Sequence, residues 1–207
     1  DSLDDRGFGL RIARSVVAGK LANMATLAGR IKRRSKSGRE LEFESEIKAI
    51  REQLRKTESA GTTKILRGHE GMGTRHFYSA FRLGFKGDWG FTKRVRRPPT
   101  DPVNSVLSLL YTLLFNRVHS AVRIAGLHPM VGYLHSLDYG RHSLVLDLME
   151  EFRSLVAETA TLSLFNLKIL QQDDFYREEP PAPEPEAQAR PHITDDPIGH
   201  LYENPDD

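Results

Sequence analysis

Three features of the 207-residue sequence predict an all-α fold. Apolar residues recur at helical spacing in every long segment, no run alternates as a half-buried strand would, and recognisable helix boundaries separate the segments. Leu10 to about Arg34 carries Ile12, Val16, Val17, Leu21, Met24 and Leu27 on a helical repeat and ends in the basic run KRRSKSGR at 32–39, read as a loop. Leu41 to about Ser59 is charged and helix-prone, with Gly61 as its stop, and a third helix is predicted from about Thr63 to Phe81.

Residues 84–101, GFKGDWGFTKRVRRPPTD, hold three glycines, two prolines and the only tryptophan, so no single regular element fits them. Asp101 then supplies an N-cap with Pro102 at the first helical position, and Gly126 is the natural stop. Between them Val103, Val106, Leu107, Leu109, Leu110, Leu113, Leu114, Phe115 and Val118 leave little polar face, which predicts a central core helix. The loop GLHPMVGYLHS leads to a last helix, and from residue 172 the chain becomes too rich in proline and acid to fold alone. The predicted organisation is a helical domain over 1–171 and an acidic, proline-rich, flexible tail over 172–207. The start at Asp1, without a methionine, points to a fragment or a processed product.

With 39% hydrophobic residues the chain can bury one good core. It has no cysteine, which fits a reducing cytosol and excludes both a thiolate nucleophile and a zinc–sulfur site. Nothing reads as a signal peptide, and the longest apolar stretch falls short of the roughly 20 residues a membrane span needs. A cytoplasmic location is therefore expected. The formal net charge of +2 conceals a gradient: residues 1–100 carry 23 basic against 11 acidic side chains, 101–171 carry 5 against 6, and 172–207 carry 2 against 11. The front half would attract polyanions, with nucleic acid the obvious candidate.

The last helix, RHSLVLDLMEEFRSLVAETATLSLFNLKIL at 141–170, is the most informative element. At about 100° per residue, Leu144, Leu148, Phe152, Leu155 and Val156 share one flank, while Asp147, Glu150, Glu151 and Glu158 lie with Ser154 on the other. Like charges about 4 Å apart repel by roughly 4 kcal/mol at an effective dielectric near 20, so this stripe must face water or a cation. An acidic helix taken alone is more often a solvated face. A hard divalent ion is the sharper alternative: Glu70 in RGHEGMGTRHFY, His135 in GYLHS, and Asp147 with Glu150 in LDLMEEFR form an oxygen-rich set with one imidazole, as magnesium or manganese prefers. Asp147 and Glu150 are three apart and can reach one ion from neighbouring turns. Spacing gives no reason that Glu70 and His135 should meet them.

Residues 96–153, RRPPTDPVNSVLSLLYTLLFNRVHSAVRIAGLHPMVGYLHSLDYGRHSLVLDLMEEFR, resemble the core of the CRISPR-associated integrase family (Cas one), the catalytic subunit of the spacer-acquisition complex. IARSVVAGKLAN resembles that family's first catalytic-domain helix and GHEGMGTRHFYSAF its glutamate motif. The resemblance implies Glu70, His135 and Glu150 as ligands of Mg2+ or Mn2+, with Asp147 as an accessory catalytic carboxylate that tunes the site or holds a metal-bound water. It implies strand transfer, joining the 3′-hydroxyl ends of short spacer DNA to the CRISPR leader-repeat, with Cas two as protein partner and a homodimer in the full-length protein. The family's N-terminal β-rich domain is expected to be absent from these 207 residues.

Lys93, Arg94, Arg96 and Arg97 stand beside Phe91 and Trp89, a mixture expected to pair with phosphates and stack on exposed bases. Arg75, a helical turn and a residue beyond Glu70, is expected to steady a scissile phosphate. His69 and His76 flank the glutamate motif, and sequence alone gives them no role beyond a solvated surface. Two other functions use the same residues: a metal-dependent nuclease on branched or single-stranded DNA, and a non-catalytic nucleic-acid scaffold whose acidic stripe is only a surface.

Overall fold

The computed structural model describes residues 6–35, 38–135 and 140–176. Asp1–Asp174 form one compact unit and Phe175–Asp207 a second, of which only Phe175 and Tyr176 are described, so the expected tail lies almost wholly outside the described residues. The first unit is all-α, with no strand among the described residues. It comprises α1 (Arg6–Arg34), α2 (Glu40–Thr57), α3 (Thr63–Arg82), α4 (Pro102–Ile124), α5 (Ser143–Phe152), a π-helical segment (Arg153–Glu158), α6 (Thr159–Asn166) and a 3₁₀ turn (Gln172–Asp174). No helix is long and apolar enough to cross a membrane among the described residues.

The central helix is α1, which packs against α2, α3, α5 and the π-helical segment. It can do so because two rows are apolar: Ala13, Val17, Leu21, Met24 and Ala28 form one, and Val16, Leu27 and Ile31 belong to another, all buried. Lys20 is buried between them. Around α1, α2 buries Phe43, Ile47 and Ile50, and α3 buries Leu66, Phe77 and Phe81. Fully burying each of those rings contributes about 1.5–3 kcal/mol. The Thr62 side chain caps α3 by accepting from the Ile65 amide at 3.3 Å, and Gly73 lets α3 close on α1, since a Cβ there would stand 2.4 Å from Leu21 Cδ2.

The N-terminus of α4 follows its sequence signature: the Asp101 carboxylate accepts from the Asn104 amide at 2.8 Å, with Pro102 at the first position. At the other end Gly126 adopts φ 71°, the left-handed conformation that ends a helix. The expectation of a fully buried core helix does not hold, because Leu109 and Leu113 are more than half exposed. That central place belongs to α1, whose small residues permit close neighbours on several sides.

Two asparagines organise the irregular stretch 83–101. Asn104, buried, accepts from the Val95 amide at 3.0 Å and donates to the Lys93 carbonyl at 2.9 Å. Asn166 on α6 accepts from the Lys86 amide and donates to the Gly84 carbonyl, both at 2.8 Å. Phe91 is buried against Tyr78, Phe81 and Phe85, and Trp89 packs edge-on against Phe165 at 4.5 Å. Both aromatics therefore belong to the core of the loop and not to a base-stacking platform.

Candidate active site

The polar stripe of the last helix points inward, and its apolar flank points out. Asp147, Glu150, Ser154 and Glu158 are all buried, while Leu148, Leu155 and Val156 are exposed and Phe152 reaches 46% exposure. Of the two readings of the acidic stripe, the solvated face does not hold for Asp147, Glu150 and Glu158. Burying carboxylates is tolerable only where each one finds fixed partners, and here the three find three different kinds.

Asp147 is held by backbone. Its Oδ2 accepts from the amides of Tyr133 at 2.6 Å and Leu134 at 2.9 Å, and its Oδ1 accepts from the His135 amide at 3.0 Å and from His135 Nδ1 at 2.6 Å. The carboxylate therefore fastens the loop before α5 and sets the imidazole. A neutral imidazole that donates from Nδ1 to Asp147 carries its lone pair on Nε2. The loop lies close against α5 because Gly132 has no side chain: a Cβ there would stand 2.7 Å from the Ser143 carbonyl carbon. These four hydrogen bonds occupy both Asp147 oxygens and orient the His135 ring.

Glu150 is held by cations. Its Oε2 meets the Lys20 ammonium at 2.6 Å and its Oε1 the Arg153 guanidinium at 3.2 Å. Burial alone would push this carboxyl up, but Lys20 and Arg153 outweigh it and hold Glu150 below the usual carboxylate range. The same ammonium is ion-paired with Glu70 Oε1, which also accepts from Thr74 Oγ1 at 3.1 Å. Glu70 on α3 and Glu150 on α5, far apart in sequence, thus converge on one positive charge delivered by α1.

Glu158 is held by hydroxyls. Tyr111 donates to its Oε1, with Tyr78 at 3.4 Å from the same oxygen and 2.7 Å from the Tyr111 hydroxyl. Its Oε2 has no partner among the described residues. Burial pushes the Glu158 carboxyl above the usual range, and burial with the Glu158 charge pushes the Tyr78 phenol up as well.

A cavity of about 510 Å³ opens beside Glu70, with Lys20, Glu70, Glu158 and Tyr111 in its wall. Four of the five predicted DNA-contacting cations line it: Arg75, Lys93, Arg94 and Arg96; Arg97 is exposed and does not. Arg94 is already committed to structure, donating to Asn104 Oδ1 at 2.9 Å and Ser108 Oγ at 3.0 Å and lying 5.3 Å from the Tyr111 ring centre. Sequence reasoning missed two cations of this wall, Lys20 and Arg153. Lys20 had a signal: a lysine amid the apolar rows of a helix needs a buried partner. The two histidines near Glu70 do not simply face solvent, for His69 Nδ1 lies 2.9 Å from Gln53 Oε1 and His76 Nδ1 lies 2.7 Å from Glu46 Oε2.

The donor set of Glu70, Glu150 and His135 suits a hard divalent ion, and two of its carboxylates already share one cation. Among the described residues no three His, Asp or Glu side chains are grouped so as to hold a metal as they stand; Glu70 and Glu150 meet at the Lys20 ammonium, while the contact described for the His135 ring is with Asp147.

The family model described as CRISPR associated protein Cas1 matches residues 1–183. The chain belongs to the Cas1 family. It is 48% identical over 126 residues to a protein named CRISPR-associated endonuclease Cas1 3 from Thermus thermophilus, covering 61% of this chain and 38% of that one. It is 39% identical over 172 residues to a CRISPR-associated endonuclease Cas1 from Leptospira interrogans, covering 81% of this chain and 67% of the relative. The chain therefore spans between about two fifths and two thirds of these Cas1 relatives. Among solved structures, a Cas6-RT-Cas1–Cas2 complex superposes with a TM-score of 0.76 at 28% identity, over 86% of this chain and 19% of that one. A Cas1 protein from Thermotoga maritima superposes with a TM-score of 0.72 at 26% identity, over 84% and 52%. A casposase bound to integration product shares the fold, with a TM-score of 0.74 at 23% identity over 86% and 48%.

Proposed function

We propose that this chain carries the catalytic centre of a CRISPR-adaptation integrase, which joins the 3′-hydroxyl ends of short spacer DNA to the CRISPR leader-repeat by metal-dependent strand transfer. The observation that carries this reading is the convergence of Glu70 and Glu150 on a single cation beside a basic cavity. Relatives named as Cas1 endonucleases support it.

Glu70, Glu150 and His135 Nε2 would hold Mg2+ or Mn2+, which when bound supplies a polarised hydroxyl, a more electrophilic phosphorus and charge neutralisation at the leaving oxygen. The chain's own residues prepare the reaction. Asp147 presents the imidazole in one tautomer. Thr74 steadies Glu70, and Arg153 steadies Glu150 from the side away from Lys20. Arg75, Lys93 and Arg96, exposed around the cavity, attract the DNA backbone and hold a phosphodiester in line with the attacking hydroxyl. Association with Cas2 is proposed from the Cas6-RT-Cas1–Cas2 complex, and a homodimer is proposed with it.

The test incubates the protein with Cas2, a short duplex and supercoiled repeat DNA, with and without Mn2+. Joined products that depend on Mn2+ and vanish in Glu70→Ala and His135→Ala support integration. Cutting without joining would replace it with the nuclease reading, and binding with neither product with the scaffold reading.

A further inference from the structure

We propose that Lys20 is an exchangeable counter-ion: its ammonium holds Glu70 and Glu150 together in the metal-free protein, and gives up that place to the divalent ion by turning into the adjoining cavity. This rests on the metal-dependent reading of the site.

The burial of Lys20, its two ion pairs and the charge balance they set carry it. Lys20 is 2% exposed, and its ammonium meets one oxygen of Glu70 and one of Glu150, the two carboxylates proposed to hold the metal. Two adjacent carboxylates, Glu150 buried and Glu70 partly exposed, would repel with no cation between them, so the ammonium lets the metal-free fold keep the site assembled. A divalent ion and an ammonium sharing those oxygens would in turn repel each other at close range. One of them must leave.

The structure offers Lys20 a way out. Its side chain lines the cavity of about 510 Å³ together with Glu70, Arg75, Lys93 and Arg96. Rotation about its flexible stem moves the ammonium from the carboxylates into that space without disturbing α1. The carboxylates stay in place when it goes, since Thr74 still donates to Glu70 and Arg153 still pairs with Glu150. In the cavity the released ammonium joins a wall of cations, where it adds a donor for a DNA phosphate. Metal loading and DNA binding are thereby coupled through one side chain, and the coupling is reciprocal.

The experiment titrates Mn2+ into the protein and into Lys20→Met, following free Mn2+ by electron paramagnetic resonance without DNA. Removing the competitor is expected to tighten Mn2+ binding about tenfold, and Mn2+ is expected to raise the melting temperature of Lys20→Met more than that of the parent. Equal or weaker binding by Lys20→Met, with the parent still binding in a Glu70-dependent way, overturns the exchange and leaves the metal reading standing. Mn2+ binding by neither protein overturns both. Should Lys20→Met not fold, crystals of the parent protein with Mn2+ decide the matter. An ammonium turned away from Glu70 supports exchange, and one still bridging Glu70 and Glu150 contradicts it.

Discussion

Glu150 and Glu158 lie two turns apart on one continuous helical stretch, both buried, yet they are opposite kinds of carboxylate. Glu150 sits between Lys20 and Arg153 and is held in its charged form. Glu158 faces Tyr111 and Tyr78 and is pushed toward its neutral form by burial. Position on the helix does not separate them; the residues brought up by α1 and α4 do. A buried carboxylate between two cations keeps its charge, whereas one that meets only hydroxyls is driven to give it up.

The comparison can be broken first at Glu150. Glu150→Ala leaves Lys20 and Arg153 buried with one carboxylate fewer and is expected to cost about 3–5 kcal/mol, measured by denaturant unfolding at pH 7. A loss below 1 kcal/mol would mean that the pairing contributes little. Tyr111→Phe removes the hydroxyl that donates to Glu158 and should cost about 1–3 kcal/mol. Glu158→Gln keeps an acceptor for Tyr111 and removes only the ability to ionise, so its unfolding free energy at pH 7 should fall by no more than about 1 kcal/mol, or rise. Phe152→Ser, on the exposed flank of the same helix, should change stability by about 0.5 kcal/mol or less.

Acid titration sharpens the contrast because the two groups shift in opposite directions. Glu150, lowered in the fold, adds stability that is present above the ordinary value of 4.5 and is lost as pH falls through its folded value. Glu158, raised in the fold, adds stability that is full below 4.5 and declines as pH climbs through its folded value. Glu158→Gln should therefore flatten the slope of stability against pH above 4.5 and leave the acid limb intact. A slope unchanged in that variant would show that Glu158 is ionised in the fold.

The helices were legible because their cues are local: the repeat through Val17, Leu21 and Met24, the Asp101–Pro102 start and Gly126 at the end of α4 each act within a turn or two. The orientation of the last helix was not. Periodicity shows that Asp147, Glu150 and Glu158 share a side, but which side faces in depends on Lys20, on the amides of 133–135 and on Tyr111, all brought there by tertiary packing. The convergence of Glu70 with Glu150 came into view at the sequence level only through family resemblance, since nothing in the spacing of α3 and α5 announces it. Arg94 and Trp89 show the same limit in reverse: their residue types suit DNA, while their hydrogen bonds and ring packing serve the 83–101 loop.

The most direct test of the central claim sets Glu150→Ala against Glu158→Gln in the Mn2+-dependent joining of a short duplex to repeat DNA, with folding of each variant verified by its melting curve. Joining is expected to be abolished in Glu150→Ala and retained in Glu158→Gln. Joining that survives in a folded Glu150→Ala protein would contradict it.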